Sequence, residues 1–215
     1  MSQVTIPDLY KDKMVNYSGK TSDTNERYAD IITDTLLKNI TIFDSIECVP
    51  RKNSYKIDSH DGTIKNLKSN RVEEKIALNL YKKNFDDPGI FIDYQVPLKN
   101  SKNNRLGKID LVSLKDNTYT IIELKKGGNK ESLLRCALEI MTYYQRLDKK
   151  KYIEDLKEFR GEKVEMGILV SRGGIQYKEF IDSRLLRQLI ELKKIKLYVF
   201  ESENEKITNI EQVNK

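Results

Sequence analysis

The sequence predicts an α/β fold preceded by a small N-terminal extension, and three observations carry that expectation. From residue 70 onward, segments with apolar residues at helical spacing alternate with short runs rich in β-branched and aromatic residues. Their order is helix, strand, strand, strand, helix, strand, helix, strand, which is the order of a layered α/β domain. Within it, residues 107–126, GKIDLVSLKDNTYTIIELKK, read as two apolar strands around a polar turn. A chain of 215 residues is long enough to bury one ordinary core without disulfides or a structural metal.

The elements follow in order. Residues 1–22 are polar and lack periodicity, so they read as an undetermined and mobile arm. In residues 25–40, Tyr28, Ile31, Ile32, Thr35, Leu36 and Ile40 fall at helical spacing behind Thr24 or Asn25 as N-cap. Residues 43–49 and 53–57 alternate enough to be short strands of an appended hairpin, with a turn at His60-Asp61-Gly62. Ser69 or Asn70 then caps a helix over 71–84 whose apolar face, Val72, Ile76, Ala77 and Leu80, includes Glu73. Asp86-Asp87-Pro88-Gly89 marks a loop, residues 90–98 a strand, and 99–105 a basic connection. After Gly127-Gly128 the apolar face of a helix over 131–147 is Leu133, Leu134, Ala137, Leu138, Met141 and Tyr144. Gln145 falls on that face, and Arg135, Glu139 and Arg146 on the charged one. Residues 149–163 are a charged stretch, 166–170 a buried strand, and Arg172-Gly173-Gly174 a glycine turn able to meet phosphate. A helix over 181–194 and a strand over 196–200 complete the core. The expected organisation is an extension at 1–69, a core at 70–200 and a peripheral tail at 201–215.

The hairpin carries the chemistry. Side chains alternate along a strand, so Glu123 and Lys125 share one face while Ile122, Leu124 and Lys126 share the other. An antiparallel turn brings Asp110 near Glu123 across the ladder, giving two carboxylates and an ammonium in one patch. A Glu and a Lys two apart are ordinarily a solvated pair. Here Ile121, Ile122 and Leu124 mark a buried strand, where ionised groups are costly unless paired or metal-bound.

Composition limits the alternatives. Charged residues are 33% of the chain, hydrophobic residues 38%, and the net charge is +6, which suits a polyanionic partner. No apolar run approaches the ~20 residues of a membrane span, and residues 1–17 lack a secretory core, so a cytoplasmic protein with no membrane partner is expected. Cys48 and Cys136 stand apart without metal-ligand spacing. A single histidine, His60, excludes imidazole relays and zinc triads. Catalysis falls to carboxylates and lysines.

With Asp110, Glu123 and Lys125 in that element order, residues 70–200 resemble the PD-(D/E)XK nuclease superfamily, near its RecB-like or Holliday-resolvase-like branches. The resemblance implies a restriction-endonuclease-like core, a central mixed sheet flanked by helices. It also implies that Asp110 is the first acid, Glu123 the second, Lys125 the lysine, Glu73 the glutamate of the first core helix and Gln145 the polar residue of the helix after the lysine. Two positions depart from the pattern: Ile109 stands where a proline often precedes the first acid, and Lys149 where the RecB-like pattern has tyrosine four residues after the glutamine.

The implied activity is phosphodiester hydrolysis, of DNA first. Asp110, Glu123, Glu73 and the carbonyl of Leu124 are the expected ligands of Mg2+ or Mn2+, and Lys125 the group that positions or deprotonates water. Lys126, Arg172 and Gln145 are the expected nucleic-acid contacts, and a homodimer is a reasonable arrangement for a duplex cutter. The alternatives are a ribonuclease, or a non-catalytic nucleic-acid-binding or assembly protein that retains the fold.

Overall fold

The computed structural model describes residues 5–63, 71–99, 107–203 and 206–214. The cap expected at Ser69 or Asn70 and most of the basic connection lie outside these residues. The described helices are α1 (Tyr28–Lys38), α2 (Val72–Leu80), α3 (Leu133–Arg146), α4 (Lys149–Asp155), α5 (Ile175–Asp182) and α6 (Arg184–Leu192). The strands are β1 (Asn84–Phe85), β2 (Gly89–Pro97), β3 (Lys108–Lys115), β4 (Thr118–Lys125), β5 (Lys163–Ser171), β6 (Ile195–Glu203) and β7 (Lys206–Gln212).

The strands form one mixed sheet in the order β1-β2-β3-β4-β5-β6-β7. Pairing is antiparallel from β1 to β4, parallel from β4 through β6, and antiparallel again at β7. The expected hairpin is present. Asp116 and Asn117, at φ 47° and 56°, close it as a two-residue turn of the kind whose twist matches the strands. Its ladder runs from Lys115–Thr118 to Leu111–Ile122.

Parallel pairing requires crossovers, and α3–α4 connects β4 to β5 as α5–α6 connects β5 to β6. These helices cover one face of the sheet, where Leu133, Ile140, Leu189 and Ile190 pack on Ile121, Ile168 and Leu197. On the other face α2 lays Ala77 and Leu80 against Leu111, Ile122, Leu124 and Leu169. Leu124 and Glu123 thus lie on opposite sides of one strand, as alternation requires.

Several expected elements are redrawn by packing. Residues 43–57 form no hairpin: Ile40–Ser45 is a 3-10 turn, and Tyr55 is buried edge-on to Tyr152 at 5.2 Å. Its apolar spacing serves α4, where Tyr55 N–H donates to Asp155 at 2.8 Å. The N-terminal arm is not a loose tail. Tyr10 and Val15 are buried, and Ser132, the N-cap of α3, donates to the Val15 carbonyl at 2.7 Å. Residues of the expected extension therefore belong to the same core as α3 and α6.

Of the helix expected over 181–194, residues 184–192 form α6, and 181–182 end a separate helix, α5, that was not expected; Ser183 divides the two and caps α6 by accepting the Leu186 N–H. The charged stretch after residue 149 begins with α4, capped by Asp148. The tail expected to be peripheral supplies β7, whose Ile210 is buried opposite Phe200. His60 is bound to Asp93 at 2.5 Å and stacked on Tyr94. Among the described residues no helix is long and apolar enough to cross a membrane.

Candidate active site

The C-terminal end of β4 meets the start of α3 at the edge of the parallel strands, the position where open α/β sheets place their ligands. Three of the side chains singled out from the sequence are there. Glu123 and Lys125 are 3% and 6% exposed, and Lys125 Nζ stands 2.6 Å from Glu123 Oε1. Asp110 closes the group from β3. The ladder stops at Leu111–Ile122, and the Leu124 N–H donates to Asp110 Oδ2 at 3.0 Å in place of a further backbone rung.

Burial and mutual repulsion set the electrostatics. Burial pushes the Asp110 carboxyl up to about 6, against the Leu124 N–H and the Lys125 charge, which lower it. Glu123 is held well above the usual carboxylate range by burial first, then by Asp110 and Glu139. Burial lowers Lys125, but Glu123 and its anionic neighbours more than reverse that and leave it above the ordinary lysine value. A second carboxylate, Glu131, also stands 2.6 Å from Lys125 Nζ. Lys125 therefore remains a cation between two acids.

Glu73 reaches the same edge from α2. Its Oε1 accepts from Lys126 N–H at 3.2 Å and Asn129 Nδ2 at 2.7 Å, and its charge adds to the upward pressure on Asp110. It holds the loop that follows β4. Asn129 in turn accepts the Glu131 N–H at 2.7 Å, so the glutamate of α2 is linked through one asparagine to the partner of Lys125.

Two further groups belong to the site. Glu139, placed on the charged face of its helix by the sequence reading, is 8% exposed, and its charge raises both the Asp110 and the Glu123 carboxyl. Its Oε1 accepts the Tyr143 hydroxyl at 2.6 Å, whereas its buried Oε2 makes no hydrogen bond and faces Arg135 Nε at 3.8 Å. Tyr143 in turn lies against Gly107, where any Cβ would collide with the hydroxyl. The stripe Cys136, Glu139, Tyr143, spaced by three and four, was the available signal. Gln95 is the other addition: its Nε2 donates to Asp110 Oδ1 at 2.9 Å from a left-handed backbone, φ 50°, inside β2. A polar residue between Tyr94 and Val96 marked the position, but nothing in the sequence marked its backbone.

Other expected residues lie elsewhere. Gln145 lines a cavity at the far end of α3, six residues beyond Glu139, with none of Asp110, Glu123 and Lys125 among the residues lining it. Arg172 is ion-paired with Glu201 at 2.6 Å and with Glu211, both from the β6–β7 hairpin, so phosphate would have to compete with two carboxylates. Lys126 is half-buried beside the site.

Among the described residues no group of three or more acidic, histidine or cysteine side chains is gathered tightly enough to cage an ion alone. The donor set nevertheless fits Mg2+, which takes one or two carboxylates and completes its shell with water and substrate oxygens. Asp110 and Glu123 are the two hard oxygen donors that this would use, while Glu139 Oε2, buried without a hydrogen bond, faces Arg135. No family model, no curated protein and no solved structure matches the chain.

Proposed function

We propose that the protein is a divalent-metal-dependent nuclease acting on DNA, built on a restriction-endonuclease-like core of the PD-(D/E)XK kind. The observation that carries this reading is the gathering of half-buried Asp110 with buried Glu123 and Lys125 at the ends of two adjacent strands, Asp110 accepting the Leu124 N–H and Lys125 pairing with Glu123. A surface pair would not be placed there, because its desolvation has no structural return.

Asp110 and Glu123, with the Leu124 carbonyl, are the groups that would hold Mg2+ or Mn2+. The bound ion supplies Lewis-acid polarisation of the phosphodiester and neutralises charge as the bond breaks. Lys125 keeps its proton between Glu123 and Glu131, which favours a role in orienting the attacking water and offsetting charge over one as general base. Glu73 holds the loop after β4 through Oε1, which leaves its Oε2 as a further oxygen for the ion. The net charge of +6 supplies the general attraction for a polyanion.

The test is digestion of plasmid, duplex, branched and single-stranded DNA, with an RNA control, in Mg2+ or Mn2+. Cleavage by the wild type that is lost in Asp110→Ala and Lys125→Ala supports the reading; equal cleavage by all three proteins sinks it. The second reading is a nucleic-acid-binding protein without catalysis, favoured by the closure of Lys125 between two carboxylates. It predicts salt-sensitive DNA binding that is indifferent to divalent ions and to Glu123→Ala.

A further inference from the structure

Gln145 leads to a second site. A cavity of about 580 Å3 opens between the end of α3, the start of β5, the α6–β6 turn and the chain's last residues. Its floor is apolar and soft: Phe43, Met141, Val164, Met166 and Ile195, all buried. The volume is that of a small-molecule site, and the thioethers and the phenyl ring suit a flat body.

The rim decides the charge. Five ionic side chains stand on it: Glu165, Glu191, Lys193, Lys194 and Lys196. Lys196 and Glu165 satisfy one another at 2.6 Å. Lys193 lies over the Phe43 ring at 5.6 Å, with Asp44 only at 3.8 Å. Lys194 sits in the turn with φ 53°, exposed and without a carboxylate partner among the described residues. On the rim itself these two cations face one unpaired acid, Glu191; Asp44, behind the rim, offsets Lys193 only at 3.8 Å, and Lys194 is left as the cation open to an anion. Of the three amides, Asn214 is spent on Leu197 N–H and the Ile195 carbonyl, and Gln212 on the Asn214 carbonyl. Gln145 alone has no hydrogen bond among the described residues, and it offers both a donor and an acceptor.

We infer that this cavity binds a small anion with a flat, ring-sized body: the ring on the Met141–Met166 floor, its polar edge at Gln145, its phosphate or carboxylate at Lys193 and Lys194. The site is separate from the acidic one. Met166 lies four residues along β5 from Val170, the partner of Lys125, a span of about 13 Å.

The experiment is calorimetric titration of the metal-free, full-length protein with 5′-dAMP, with deoxyadenosine, and with indole-3-acetate. Saturable binding of an anionic probe, at least tenfold weaker in Lys194→Asn and at least fivefold weaker in Gln145→Leu, is the expected result. Asn is chosen at 194 because it tolerates the left-handed backbone. Preference for 5′-dAMP identifies phosphate as the anion and preference for indole-3-acetate identifies carboxylate; deoxyadenosine should bind at least tenfold more weakly than 5′-dAMP. No binding of either anion, equal binding of the neutral nucleoside, or binding untouched by both substitutions overturns the inference. Asp110→Ala should bind the probe as the wild type does, so failure here and failure of the nuclease reading are told apart.

Discussion

Gln95 donates its side-chain amide to Asp110 at 2.9 Å from a left-handed backbone in mid-strand. A non-glycine residue held there costs on the order of 1 kcal/mol or more, so the surrounding strand must enforce it. Replacement separates the two effects. Gln95→Ala should lose about 1–3 kcal/mol, since a hydrogen bond to a charged group is removed and the strain stays. Gln95→Gly removes the same bond but relaxes the backbone, and should be clearly more stable than Gln95→Ala in urea. Both should lower DNA cleavage alike if the amide orients Asp110; cleavage that tracks stability instead would assign Gln95 to folding alone.

The raised Asp110 carboxyl makes a signed prediction. Its folded value, about 6, lies above the ordinary 3.8, so the native state binds this proton more tightly than the unfolded chain. Stability from this group is complete below pH ~4 and is lost as pH rises through about 6. Glu123 shifts in the same direction. Asp110→Asn should therefore gain on the wild type as pH rises from 4 to 7, by roughly 3 kcal/mol at most. Urea denaturation of both proteins at several pH values measures this, and a pH-independent difference would refute it. Mg2+ should raise the wild-type Tm more at pH 7.5 than at pH 5, because the ion requires the ionised carboxylates.

The hairpin was legible because alternation, a polar turn and an unbroken apolar run all agreed, and the Asp110–Glu123–Lys125 meeting follows from a period of two. Glu139 was not, since a helical wheel cannot say how wide the buried arc of α3 becomes once residues 5–16 cover its start. Gln145 failed for the complementary reason: a residue on the inward face of a 14-residue helix can serve either end of it, and the wheel carries no axial coordinate. Residues 43–57 show that apolar spacing in a short segment reports burial, here under α4, and not its backbone.

Removing the cation at Lys125 should be costly. Lys125→Met leaves Glu123 facing Asp110 and Glu139 without its 2.6 Å partner, a loss of about 3–5 kcal/mol by analogy with other buried pairs. Adding Glu123→Gln to it should recover most of that stability while cleavage stays absent. Equal stability of Lys125→Met and the double variant in chemical denaturation would show that the pair is not energetically coupled.

Glu139 and Tyr143 give the last test, because sequence and structure disagree about them. As a solvated helix residue, Glu139 would tolerate glutamine with no effect on stability or cleavage. As a buried neighbour of Asp110 and Glu123 it adds like charge, and Glu139→Gln should leave the metal-free protein as stable as the wild type or more so while weakening Mn2+ binding and cleavage together. Tyr143→Phe removes the 2.6 Å hydrogen bond to Glu139 Oε1 and should cost about 1–2 kcal/mol, with Glu139 left short of a donor. In the double variant the Tyr143 loss should shrink, since a neutral amide can find other partners. Additive effects of the two substitutions, or Mn2+ affinity unchanged in Glu139→Gln by calorimetry, would return Glu139 to the surface role its helical position first suggested.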